Sequence, residues 1–179
     1  GTSIVEGMRL GRKTIGIDLN YISFFVTRVK TTILSSKQKS FIEAWVVAVE
    51  KKLKSKITLD KFTKSALSLI NFKGLGNGQI YRLKQILSGC SLFLKRLKKV
   101  KNKKTNDFLR LLILRSMQST LHNRRPISEF EVFKQKIKSN CIDMLDGMNE
   151  LETNVKLNSS KKIVSSSNIY NRSAEKCLT

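Results

Sequence analysis

Seven of the ten residues at 95–104 are basic: Lys95, Arg96, Lys98, Lys99, Lys101, Lys103 and Lys104. The chemistry open to them is electrostatic. Ammonium groups packed this closely can lie against successive phosphates or sulfates and release the counterions condensed there. The cluster belongs to a longer one-sided block, because the 46 positions between Asp60 and Asp107 hold twelve Lys and Arg and no acid. A solvated helix ordinarily mixes signs, since like charges three or four residues apart repel. Arg82 and Lys84 fall in the same block, and Arg124 and Arg125 form a second basic pair. These eleven residues are the candidate anion-binding set.

Three plainer explanations compete. Cations at a helix C-terminus are favoured by the dipole, and a short basic run also suits a nuclear-localisation signal. The third is internal compensation: the stretch 129–152 holds six acids against three lysines, and such a helix beside the basic block would mask part of it. A local net charge of −3 cannot cancel the +12 of residues 61–106, so a surplus must face solvent.

For covalent or acid–base catalysis the inventory is poor. His122 is the single imidazole, and no nucleophile motif accompanies it. Glu129 and Glu131 read as first-turn acids favoured by the helix dipole, and Asp143 and Asp146 as a solvated face. The glycines of residues 73–78 lack the preceding strand and the terminal GK[S/T] of a phosphate loop. The expectation is therefore no catalytic residue, no enzyme and no cofactor. Cys90, Cys141 and Cys177 show no CxxC pair, and with one His they offer no zinc set, so no metal ligand is expected. Cys90 and Cys141 lie on apolar helical stripes and read as buried thiols; a disulfide between them stays open for a secreted protein.

The elements that must position the cluster are helical. One proline in 179 residues argues against a turn-rich β fold, and the apolar spacing is that of helices. A first helix is expected over 18–34. A second opens at the capping box Ser35-x-x-Gln38 and carries Ile42, Val46, Val49 and Leu53. Thr58 is the expected cap of a third, with Leu59, Phe62, Ala66, Leu69 and Ile70 on its apolar stripe. A glycine-rich turn at 73–78 precedes the fourth, whose seam is Ile80, Leu83, Leu87, Cys90, Leu94 and Leu97. Residues 102–104 end it. A fifth starts at Thr105 or Asn106 and is apolar nearly all round at 108–114, which places it centrally. Pro126 and the box Ser128-x-x-Glu131 open a sixth, burying Phe130, Phe133, Ile137, Cys141, Met144, Met148 and Leu151.

The expected fold is a single all-α domain of five or six helices over residues 18–153. A flexible arm at 1–17 precedes it, within which residues 1–7 are open to either a native or a non-native reading with Met8 as the start in the second case, and a disordered tail at 154–179 follows it. No apolar run approaches the roughly 18–20 residues that cross a bilayer.

Two helical families are similar in part. The segment Asn102-Lys-Lys-x-x-Asp107-Phe108, with Leu121, Arg125, Ile127 and Glu129, resembles part of the latter half of gamma interferons, and the basic all-α profile is similar to sperm lysins. Neither resemblance carries over a residue or a function.

A formal net charge of +22 is opposed by self-repulsion and points to a polyanionic partner. Lysine outnumbers arginine 25 to 10, and arginine is the reader of base edges. Aromatics are few and most sit on core stripes, which leaves no visible stacking platform. The expectation is a non-enzymatic protein that binds RNA or DNA through the phosphate backbone without strong sequence specificity. Homo-oligomers through the apolar seams and an intracellular, nucleic-acid-associated location go with it. The alternative is a secreted basic helical protein that binds a receptor or a glycan; a third reading is peripheral attachment to anionic membranes.

Overall fold

The structure is a computed structural model that describes residues 1–121, 127, 129–161 and 166–173. Among these the order is α1 (Thr2–Arg9), β1 (Lys13–Ile17), α2 (Tyr21–Lys30), α3 (Ser36–Glu50), α4 (Lys61–Ser68), α5 (Asn77–Leu97), α6 (Lys103–Leu121), α7 (Phe130–Ser160) and β2 (Ser166–Tyr170). The protein is mostly helical, as its periodicity requires. It has seven described helices rather than five or six, together with one small two-stranded sheet. No described helix is long and apolar enough to cross a membrane.

The chain divides into two compact units, 1–35 with 144–179 and 36–143. The boundary falls inside α7. The first unit contains the elements that a periodicity reading misses. Strands β1 and β2 pair in parallel, Lys13 opposite Ser166 and Ile17 opposite Tyr170, although 1–17 reads as an arm and 154–179 as a tail. Each strand has only five residues, and a pairing partner so distant in the chain leaves no local signal. Asn171 extends the pairing, its side-chain amide donating to the carbonyls of Asp18 (2.9 Å) and Leu19 (3.1 Å). Helix α2 starts later than expected because Asn20 is its cap, accepting from the N–H groups of Ile22 (2.8 Å) and Ser23 (3.4 Å).

The second unit holds the long helices. In α5 the expected seam is present, with Leu83, Leu87, Cys90 and Leu97 buried. Ile86 and Phe93 are buried as well, so α5 is a central helix and not only a seam. Gly89 explains how α7 approaches it, since a Cβ there would lie 2.9 Å from the ring of Phe130. Helix α6 buries Phe108, Leu109, Leu111, Leu112 and Ile113. On α7, Asn140 is buried and donates to the hydroxyls of Ser116 (3.1 Å) and Ser119 (3.4 Å) on α6. Cys90 and Cys141 are free and buried, so the optional disulfide is not formed. Burial raises both thiols, Cys141 to about 11 with the Glu43 carboxylate adding to the effect.

Helix α4 departs most from its expected form. Asp60, not Thr58, is its cap, accepting from Thr63 N–H at 2.9 Å. Three residues of its expected apolar stripe are outside, Leu59 51 %, Phe62 38 % and Leu69 85 % exposed, Ala66 and Ile70 are half-buried, and Thr63 is fully buried. A helix of eight residues is too short for its own apolar pattern to decide which face docks. The turn after it fits the glycine reading, with Gly74 at φ 79° and Leu75 N–H donating to Phe72 O at 3.0 Å.

Candidate nucleic-acid interface

The basic cluster does not lie on one helix end. Helix α5 stops at Leu97 and α6 begins at Lys103, so the lysines straddle a corner. The end of α5 tightens into short turns, Lys99 N–H to Arg96 O (3.1 Å) and Val100 N–H to Leu97 O (2.9 Å). Leu97 and Val100 are buried, which pulls the corner onto the core.

Two asparagines lock it. Asn106 reaches back from α6 and donates to the carbonyls of Leu97 (3.1 Å), which also accepts from Val100 N–H, and of Val100 (2.9 Å). Asn102 caps α6, its Oδ1 accepting from Thr105 N–H and Thr105 Oγ1, each at 3.1 Å. Gln38 of α3 donates to the same oxygen at 3.0 Å. The turn is thus held by side chains other than lysine, and Lys98, Lys99, Lys101, Lys103 and Lys104 are all exposed on it. Among the described residues no acid pairs with Lys98, Lys99, Lys101 or Lys103.

The remaining candidates divide. Lys95 is bound to Asp60 (Nζ–Oδ2 2.7 Å) and is neutralised, although 58 % of its side chain is exposed. Asp60 also accepts from Ser91 Oγ, and these bonds, Lys95 first, hold its carboxyl well below the usual carboxylate range. Arg82 is structural in part: it donates to Ile127 O (3.1 Å) and pairs with Glu129 (3.4 Å). Arg96 and Lys84 are half-buried, and Lys84 lies toward the opposite end of α5 from the corner. Arg124 and Arg125, like His122, Pro126 and Ser128, lie outside the described residues.

Compensation by the acidic stretch reaches the basic block at Arg82, away from the corner. Glu129 meets Arg82 (3.4 Å), and Asp143 meets Arg115 (3.3 Å). Lys134 and Lys138 of α7 are themselves taken by Glu50 of α3, at 3.8 and 3.3 Å. Nearer the corner, the basic block is met by the acid that bounds it, Asp60. Sequence reasoning missed Asp60, Asn102 and Asn106 as organisers; the Asn102-x-x-Thr105 spacing was the available signal for the second. Aromatic side chains are also less confined to the core than expected, since Phe41, Phe62 and Tyr81 are exposed.

Lys103 and Lys104 occupy the first turn of α6, which holds no acid. Cations oppose the dipole there. Lys103→Glu should therefore stabilise the unbound protein by about 0.5–1 kcal/mol at low salt, read as a rise in the urea midpoint that fades as salt is added. An unchanged midpoint at low salt counts against this electrostatic reading of the corner.

No group of three or more His, Cys, Asp or Glu suited to a metal ion occurs among the described residues. Comparison with protein-family models, curated proteins and solved structures finds no match to this chain.

Proposed function

We propose that the protein is a non-enzymatic nucleic-acid-binding protein that grips the phosphate backbone at the α5–α6 corner, without strong sequence preference. The observation that carries this reading is the hydrogen-bonded corner itself. Five exposed lysines within seven positions are presented by a turn whose own hydrogen bonds come from Asn102, Asn106 and Gln38. Like charges so placed repel one another and oppose the α6 dipole, and a bound polyanion relieves both. Lysine-rich contact suits phosphates rather than base edges.

The test is a titration of labelled RNA and DNA of unrelated sequences between 50 and 200 mM salt. With six to ten phosphate contacts the affinity should fall by about 10³–10⁵ over that range, similarly for each sequence. An affinity that barely changes with salt sinks the proposal.

A further inference from the structure

A second basic run lies outside the corner. The connection between α3 and α4 carries Lys51, Lys52, Lys54 and Lys56, four lysines in six positions, all exposed. Leu53 among them is buried and anchors the run.

Downstream, this connection is fastened along α5. Gln85 Nε2 donates to Ser55 O at 2.9 Å. Ser88 Oγ accepts from Thr58 N–H at 2.9 Å and donates to Thr58 O at 3.2 Å. Ser91 and Lys95 hold Asp60. Gln85, Ser88 and Ser91 are buried polar side chains at three-residue spacing on the central helix, and each is bonded to the connection. The geometry is self-consistent. Ten residues of helix from 85 to 95 rise about 15 Å, and five extended residues from 55 to 60 cover about 16 Å.

A connection that only joined two helices could remain a solvated loop. This one is fixed, and it runs from the 51–56 lysines to Asp60, which is bonded to Ser91 and Lys95 near the end of α5. Its acids are occupied: Asp60 by Lys95, and Glu50, just before it, by Lys134 and Lys138.

We infer that residues 51–56 and Lys61 form the second half of the nucleic-acid surface, so that one strand lies along α5 from the 51–56 run to the corner. This rests on the function proposed above. From the level of residue 85 to that of residue 97 the helix rises about 18 Å, equal to roughly five nucleotides of one duplex strand at 3.4 Å each.

The experiment compares wild type with a variant carrying Lys51→Gln, Lys52→Gln, Lys54→Gln and Lys56→Gln, using labelled oligo-dT of 4 and 16 nucleotides across a salt series. On the 16-mer the variant should lose about two or more from the salt slope, at roughly 0.7 per single-strand contact, and bind at least tenfold more weakly at 0.15 M. The 4-mer should show little difference. Lysine acetylation of the wild type, with and without 16-mer, supplies a second readout that needs no variant: Lys52, Lys54 and Lys56 should be protected. A wild-type slope in the variant, or no protection, overturns the inference and leaves the corner intact. If wild type binds no oligonucleotide but binds a sulfated oligosaccharide, the underlying function falls, and the inference with it.

Discussion

Replacing Lys98, Lys99, Lys101 and Lys103 together by Gln will weaken binding to a 16-nucleotide strand by about 10²–10³ at 0.15 M salt, with the deficit shrinking toward 1 M. Each phosphate that is no longer neutralised takes about 0.7 off the salt slope on a single strand and about 0.9 on duplex DNA. The fold should survive, because the bonds that shape the corner come from Asn102, Asn106 and Gln38 and not from these lysines. Thermal unfolding of the variant should match or exceed that of wild type, since like-charge repulsion falls. A quadruple variant with the wild-type slope would place the anion site elsewhere.

Asp60→Ala should destabilise the protein by about 2–3 kcal/mol. It removes the α4 cap, worth about 0.5–2 kcal/mol, and the charge-assisted bond from Ser91, which is left buried without its acceptor. The Lys95 pair adds little, because that lysine is largely exposed and solvent screens it. The expected drop in Tm is about 4–10 °C. The pH dependence follows from the lowered carboxyl: its stabilisation is complete above the unfolded pKa near 4 and is lost as pH falls below it toward the folded value. Urea unfolding should show a constant gap between wild type and Asp60→Ala from pH 5 to 8, narrowing below about pH 4. A gap that stays the same at pH 3 would mean that the ionised carboxylate is not the cause.

The long helices were legible because their burial repeats at helical spacing. Ile42, Val46 and Val49 on α3, and Phe130, Phe133, Ile137 and Cys141 on α7, are buried as their spacing demands. Helix α4 was misread for a definite reason. Leu59, Phe62 and Leu69 repeat like a core stripe, yet the helix is too short for its own pattern to decide the docked face. Strands β1 and β2 were invisible because parallel pairing between distant segments is a tertiary event.

The basic cluster at 95–104 was evident from residue types alone, and so was the surplus of positive charge. Charge type and helical period are local properties of the chain, readable without a fold. Which lysines remain available was decided only by tertiary structure. Packing brought Asp60 to Lys95, turned Arg82 toward Glu129, and seated the 51–56 connection beside α5. Pairing depends on distances between residues far apart in sequence, and only the folded chain sets those distances.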